Sequence, residues 1–229
     1  MKLYSYCIPI DDGAAPNPYW GVCTLTICKP VIRRVAEKGD WIIGVGSKNV
    51  GGKNFSDKLV YAMKVTDKMS LRKYDKYCKS ILPNKIPDIN NEDYRRRVGD
   101  CIYDYTDGYD HTLRPSVHGK GNVERDLRGI NALLSEEFYY FGDHAEDIPK
   151  EFSILVRQGQ GHQSTRNQFI KDEFVLWIAS SFEKNKIYGN PQVRVEFKED
   201  AEGNTCASVR RESADEDEAA DYEEEKLHR

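Results

Sequence analysis

The sequence predicts an α+β protein with about six or seven strands and flanking helices. The central observation is the stretch Gly39–Ser47, where a Gly-Asp turn leads into a short apolar run that ends in glycines and a serine. Such a run is typical of one buried strand that opens into a loop. A second β-prone run, Lys58–Val65, is expected to pair with it across the Gly51-Gly52 loop. A later amphipathic segment, Ile170–Phe182, predicts a helix that packs on the sheet.

Four elements are expected before the central strand. Alternating apolar residues predict a half-buried strand over Lys2–Ile10. Two prolines and a glycine make Ala14–Gly21 a stiff loop, and β-branched residues predict a strand over Val22–Ile27. Pro30–Ala36 is expected to form a short helix, because the missing N–H of Pro30 has no cost in a first turn.

The spacing of apolar residues predicts the elements that follow the two central strands. They are a helix over Ser70–Lys79, a strand over Cys101–Tyr105, a helical turn within Leu127–Leu134, strands over Phe138–Phe141 and Phe152–Val156, and an edge strand with Val193, Val195 and Phe197. The polar segment Asp107–Gly129 is expected to be a long loop, a type that is often functional or disordered. Thr165 and Gln168 have the spacing of a capping box for the last helix.

The distribution of charge divides the chain into two parts. Nine acidic residues lie between Glu212 and Glu225, whereas residues 1–211 carry a net charge of +3. A segment of that composition buries too little apolar surface to offset its ordering entropy. We therefore expect one domain over residues 1–198 and a disordered acidic tail over 199–229. The tail is either a solubilising extension or an acidic strip that competes with a polyanion for the basic body.

The cysteines and histidines follow no metal-ligand or disulfide-framework spacing, so no metal site is predicted. The cysteines are Cys7, Cys23, Cys28, Cys78, Cys101 and Cys206. The sequence has no recognisable signal peptide and no apolar run long enough to span a membrane. The expectation is a cytoplasmic protein with reduced thiols and no membrane partner.

Three aromatic residues are candidates for contact with a nucleic-acid base. Tyr19 and Trp20 lie between prolines and a glycine, so their rings are pre-positioned to stack on an extruded or single-stranded base. The alternative is that both rings fold into the core. Trp41 opens the buried strand and either belongs to the core or forms a second wall of the same pocket.

Two loops are candidates for polar contacts with a nucleotide. Ser47, Lys48 and Asn49 follow the central strand and offer a hydroxyl, an ammonium and an amide to a base edge or phosphate, although an ordinary hairpin turn explains them equally well. The loop Arg157–Arg166 is the best anion candidate, because it is expected to lead from a strand into a helix N-terminus. Its proposed phosphate contacts are Arg157, His162, Gln163 and Arg166. A solvated loop with a capping box is the alternative.

Candidate catalytic groups are few. Asp143 and His144 could form an acid/base pair, and Asp11 and Asp12 a carboxylate pair. Neighbours in a loop need not face one substrate, so surface acids and a solvated histidine are the alternative interpretation.

Several motifs of the sequence resemble those of a known family. The sequence is similar to the second nucleotide modification associated domain family in Ser5-Tyr6-Cys7, Asp11–Cys23, Cys28-Lys29-Pro30 and Gly39-Asp40-Trp41, and Phe138–Gly142 and Gly159–His162 resemble its later landmarks, so the resemblance extends over residues 2–185. Members occur in bacteria and phages and are inferred to modify or recognise DNA bases. The Gly-Asp-strand unit is also similar to PUA-like domains such as EVE, YTH and ASCH domains. That similarity implies a curved β-barrel with an aromatic-lined pocket for modified bases.

Together these observations predict a module that recognises, or assists in modifying, a DNA base. Its partners would be DNA or a modified nucleotide, and DNA-modification enzymes. A base-modifying transferase with a small cofactor of unknown identity is the alternative, and an adaptor that works through the acidic tail is a third.

Overall fold

The computed structural model describes residues 1–48, 50, 52–106, 108, 110–157 and 161–197. Numbered in chain order, the strands are β1 Leu3–Ile8, β2 Cys23–Leu25, β3 Trp41–Gly46, β4 Lys58–Lys64, β5 Asp67–Ser70, β6 Tyr103–Asp104, β7 Thr112–Leu113, β8 Asn131–Ser135, β9 Glu137–Tyr140, β10 Glu146–Asp147, β11 His162–Thr165 and β12 Lys186–Ile187. The α-helices are α1 Pro30–Val35, α2 Leu71–Ser80, α3 Tyr94–Arg97, α4 Val123–Arg128 and α5 Gln168–Ser181. Short 3-10 helices cover Pro83–Lys85, Lys120–Asn122, Gly142–His144 and Lys150–Leu155.

The main sheet has seven strands in the order β11-β1-β3-β4-β9-β12, with β10 paired to β4. β3 is parallel to β1 and antiparallel to β4, so the predicted pairing across the glycine loop is confirmed. The outermost strands, β11 and β12, do not pair with each other in the described part of the chain. The fold is therefore a mixed α+β architecture on an open sheet, and the predicted closure into a barrel is not found.

Gly44, in the middle of β3, leaves space for an aromatic side chain from the neighbouring strand to cross β3. A Cβ on Gly44 would overlap Cδ1 of Ile8 and lie 2.5 Å from Cε1 of Tyr61. The tyrosine ring thus occupies the space above the glycine, and its hydroxyl lies 2.9 Å from that of Tyr6 on β1. The glycine is needed for close packing at the centre of the sheet.

The main sheet buries both faces. One face, with Tyr6 and Ile42, packs against α1 and a second sheet of order β2-β8-β5. The other face, with Trp41 and Ile43, packs against α5, where Phe174 and Ile178 are fully buried. The predicted core-facing side of the last helix is therefore confirmed. A third apolar cluster joins α2 and α3 to the β6-β7 hairpin.

Two predicted elements have the wrong type. The helical turn predicted within Leu127–Leu134 is instead the end of α4 followed by β8, a strand buried between β2 and β5. A short apolar run buried on both faces does not distinguish helix from strand. The strand predicted over Phe152–Val156 is a 3-10 helix, in which Phe152 and Leu155 are the buried residues. Their spacing of three fits that helix rather than a strand.

Two further predictions at the C-terminal side are wrong. The capping box is absent, because Asn167 caps α5 by accepting from the backbone N of Ile170, while Gln168 donates to Asp172 instead. Residues 193–197 form no strand, and the backbone N of Val195 donates to the Tyr94 hydroxyl. The predicted acidic tail, 199–229, lies outside the described residues. None of the described helices combines the length and apolar character needed to cross a membrane.

Candidate active site

Three buried side chains from separate segments form a continuous chain of contacts. Sγ of Cys28 lies 3.5 Å from Nε2 of His118, and Nδ1 of the same imidazole lies 2.5 Å from Oδ2 of Asp126. Their exposed fractions are 6%, 2% and 0%. A thiol on one ring nitrogen and a carboxylate on the other is the arrangement of a nucleophile, a base and an orienting acid. We call these residues the thiol triad.

The backbone holds Cys28 in an uncommon conformation. Cys28 and Lys29 have φ values of 56° and 37°, in the left-handed region that residues with side chains rarely adopt. Pro30 then starts α1, so the thiol lies just before a helix. Strain of this kind persists only where the surroundings enforce it. Here the backbone N of Cys28 donates to Oδ1 of Asp126 at 2.9 Å.

Asp126 is held as a carboxylate. Burial on its own would raise its pKa, but His118, followed by Arg33, outweighs burial and lowers the pKa to about 2. Tyr103 donates its hydroxyl to Oδ2 at 3.1 Å. The group is therefore ionised at neutral pH and fixes the orientation of the imidazole.

Arg33 connects the segments that carry the triad. Its guanidinium is fully buried and donates to the carbonyl oxygens of Cys28, Asp126 and Asn131 at 3.1, 2.6 and 2.9 Å. Gly129 makes room for it, since a Cβ there would lie 2.7 Å from Nε and overlap Cζ. Burial lowers the pKa of Arg33, and Asp126 opposes that effect. The arginine thus fixes the position of α1 relative to α4 without touching the thiol.

The three side chains also meet the requirement for a metal site, because each offers one ligand atom and these atoms lie within 4.8 Å of one another. The spacing rules that predicted no metal site could not detect this group, and that expectation stays untested. The geometry suits proton transfer, because the thiol and the carboxylate contact opposite nitrogens of one imidazole. A histidine that binds a metal ion is commonly oriented by a carboxylate in the same way, so the two uses are separated by experiment.

Two tyrosines lie next to the triad. Nζ of Lys29 is 4.9 Å from the centre of the Tyr6 ring, and the Tyr6 hydroxyl contacts that of Tyr61. Burial raises the pKa of Tyr6 well above its usual value, and Cys28 adds to the effect. Burial also raises the pKa of Tyr61, so both hydroxyls are protonated at neutral pH, and one of them donates its proton to the other.

The predicted base-stacking residues are placed differently from one another. Tyr19 and Trp41 are 5% and 1% exposed and pack in the core, the alternative that the sequence left open. The ring of Trp41 stacks on Tyr139. Trp20 is half-buried, and the guanidinium of Arg95 lies 4.9 Å from its ring centre. Of the three, only Trp20 has a ring at the surface.

In the described part of the loop after β3, the backbone N of Phe55 donates to the carbonyl of Ser47 at 2.9 Å. Ser47 donates its hydroxyl weakly to the carbonyl of Pro9 at 3.5 Å, and Lys48 is exposed. Asn49 lies outside the described residues. The proposed role of this loop in base recognition stays a prediction.

The predicted phosphate loop has a different context from the one expected. It leads from a 3-10 helix into β11, which pairs with β1, and of the proposed contacts only Arg166 lies next to a helix N-terminus, one residue before the N-cap Asn167 of α5. His162 is buried beside Tyr4, Gln163 donates to the carbonyl of Ile154, Arg157 is half-buried and Arg166 is exposed. Residues 158–160 lie outside the described part. No member of this set belongs to the thiol triad.

The predicted acid/base pairs are also separate from the triad. His144 and Asp143 are 3.0 Å apart, with most of the histidine side chain exposed. Asp11 and Asp12 are buried, and Oδ2 of Asp11 accepts from the Tyr140 hydroxyl at 2.7 Å. Neither pair has the relay geometry of the triad. Sequence reasoning missed all three triad residues, and the available signal was a cysteine two residues before the proline that starts α1.

Comparison with protein families places the chain in a family. The sequence model of the family described as Nucleotide modification associated domain 2 matches residues 1–200, a range that contains the whole thiol triad. No curated protein and no solved structure matches the chain.

Proposed function

Because the chain belongs to the nucleotide modification associated domain 2 family, we propose that it is a thiol-dependent enzyme of a nucleotide-modification system. Cys28 is the nucleophile, His118 the general base and Asp126 the residue that orients His118. The observation that carries this proposal is the 3.5 Å contact of the thiol with an imidazole whose other nitrogen contacts a buried carboxylate.

The reaction class that suits this geometry is acyl transfer. Cys28 gives its proton to Nε2 of His118, and its sulfur attacks the carbonyl carbon of an acyl donor. The leaving group departs with the proton from His118, which leaves a thioester. An amine or hydroxyl of the acceptor nucleotide then attacks the thioester, and its proton returns through His118 to the sulfur. No oxidant or reductant is consumed.

We propose a DNA base or a modified nucleotide as the acceptor, in the cytoplasm and alongside other DNA-modification enzymes. Recognition of a modified base without chemistry is the second candidate function. It is supported by the half-buried ring of Trp20 with Arg95 stacked on it. Residues 1–198 would act as one domain in either case.

The direct test is the reactivity of Cys28. Iodoacetamide is added at neutral pH to the wild-type protein and to His118→Asn, and alkylation of each cysteine is followed by peptide mass spectrometry. Cys7 is half-buried and serves as the internal reference. Loss of a positioned general base costs about 10²–10⁴-fold in rate, so we expect Cys28 alkylation to slow at least tenfold relative to Cys7.

A thermal unfolding curve shows whether His118→Asn remains folded, and Cys28→Ser supplies a milder change at the same site. Equal alkylation ratios in wild type and His118→Asn would contradict the proposal. So would a stoichiometric metal ion in the purified protein that Cys28→Ser loses, because it would assign the three side chains to a metal centre.

A further inference from the structure

Arginine and aromatic side chains alternate on a surface outside the thiol triad. The guanidinium carbons of Arg97 and Arg194 lie 5.2 and 5.3 Å from the ring centre of Tyr94, and Arg95 lies 4.9 Å from that of Trp20. We call these five residues the arginine–aromatic surface. They come from the proline-rich loop, from α3 and from the segment after β12.

The charges of this surface are only partly neutralised. Arg95 forms an ion pair with Asp93 at 2.6 Å. Arg97 and Arg194, in contrast, have no ion pair and no side-chain hydrogen bond to another residue that the structure describes. Two positive charges are therefore available to an anionic ligand.

Several buried donors at this surface have no acceptor. Nε of Arg97, Nε of the adjacent Arg96 and Nε1 of Trp20 are all buried without a hydrogen-bond partner in the described part of the chain. Buried polar groups in folded proteins are normally satisfied, so each such donor requires an explanation. Hydrogen bonding around this surface is therefore incomplete within the described residues.

The surface is held in place by hydrogen bonds beneath it. The Tyr94 hydroxyl donates to the carbonyl of Asp12 at 2.9 Å and accepts from the backbone N of Val195 at 3.1 Å. Asn17 donates to the carbonyl of Val98 at 2.9 Å, which ties the loop of Trp20 to the end of α3. These hydrogen bonds join the three chain segments that carry the surface. The backbone that bears the arginines is therefore fixed in the absence of a ligand.

We propose that the arginine–aromatic surface binds single-stranded nucleic acid, with Arg97 and Arg194 on phosphates and Trp20 stacked on a base. Arginines interleaved with aromatic rings suit a strand, in which phosphates and bases alternate, better than a lone anion. The net charge of +3 on residues 1–211 has the matching sign. This inference rests on the proposed function and deepens it, because it makes the acceptor a polynucleotide rather than a free nucleotide.

The test is the fluorescence anisotropy of a labelled single-stranded DNA oligonucleotide, titrated with protein at several salt concentrations. The double variant Arg97→Gln, Arg194→Gln is compared with Arg128→Gln, Lys186→Gln, which removes the same charge from residues that are ion-paired. Each lost phosphate contact lowers the slope of log K against log salt by about 0.7 for a single strand. We expect the first variant to bind at least tenfold more weakly with a flatter slope, and the second to change much less.

Trp20→Ala is the second test, because it removes a ring without changing the charge. It should weaken binding about tenfold and leave the salt slope unchanged. Wild-type affinity and slope in the Arg97/Arg194 variant would overturn the inference, as would equal losses in both double variants. Alkylation of Cys28 is measured in the same samples, so that the two proposals are tested separately. If DNA binding fails, the dependence of Cys28 alkylation on His118 is still expected.

Discussion

Sγ of Cys28 contacts Nε2 of His118 although 90 residues separate them in the chain. Two further residues hold this contact in place. Asp126 binds both the imidazole and the backbone N of Cys28, and Arg33 binds the carbonyl oxygens of Cys28 and Asp126. The geometry of the triad therefore depends on residues that never reach a substrate.

Replacement of Gly129 by alanine should disturb the triad from a distance. The added Cβ would overlap the Arg33 guanidinium, which is fully buried and has no room to move. Overpacking of this kind costs about 1–3 kcal/mol. We expect a lower midpoint in urea denaturation and slower Cys28 alkylation. Gly121→Ala is the matched control, because nothing lies within 4 Å of its added Cβ; similar behaviour of both variants would refute the explanation.

Asp126→Asn should destabilise the protein in a pH-dependent way. The pKa of Asp126 is about 2 in the folded protein and 3.8 in a model peptide, so its stabilisation is present above pH 4 and is lost as the pH falls to 2. The shift corresponds to about 2 kcal/mol. Urea denaturation at several pH values should show the difference between wild type and variant shrinking over this range. Tyr103→Phe, which removes one hydrogen bond, should cost about 1 kcal/mol without that trend.

Asp11 should have the opposite pH dependence. Burial, opposed by the Tyr140 hydrogen bond, raises its pKa from 3.8 to about 7. The folded state therefore favours the protonated acid, and the resulting stabilisation is lost as the pH rises from 4 through 7. We expect the melting temperature of the wild type to fall between pH 5 and pH 8, and that of Asp11→Asn to fall less. Parallel curves would show that Asp11 does not titrate in this range.

Lys85 and Asp100 should be energetically coupled. Nζ of Lys85 is fully buried and donates to Asn17 and to the hydroxyl of Thr24, which in turn donates to Asp100 at 2.6 Å. Removal of one buried charge leaves the other uncompensated, at a cost of about 3–5 kcal/mol. In a double-mutant cycle of Lys85→Met and Asp100→Asn, the double variant should lose less stability than the sum of the single variants. Additive losses would contradict the coupling.

Local patterns predicted much of the fold. β1, β3, β4 and β9, and the helices α1, α2 and α5, lie where alternation, apolar runs and helical spacing placed them. β8 and β11 were missed, because each is defined by the strand it pairs with and not by a pattern of its own. Barrel closure could not be predicted from local patterns either, because it depends on whether the two edge strands of the sheet meet.

The site was harder to predict than the fold. Tyr19 and Trp20 are neighbours in one loop, yet one ring points into the core and the other reaches the surface, where the backbone turns with φ of 67° at Trp20. Aromatic composition alone does not encode that direction. The triad depends on contacts across 90 residues, which a single sequence does not reveal, although Cys28 was among the residues that carried the family resemblance.

The position of β1 has a consequence for synthesis on the ribosome. β1 emerges long before one of its two neighbours, β11, which begins at His162. Until that strand has been translated, the nascent chain holds β1 with one unpaired backbone edge, a template for association with other chains. A chain released after residue 157 should therefore aggregate even though it contains the complete thiol triad.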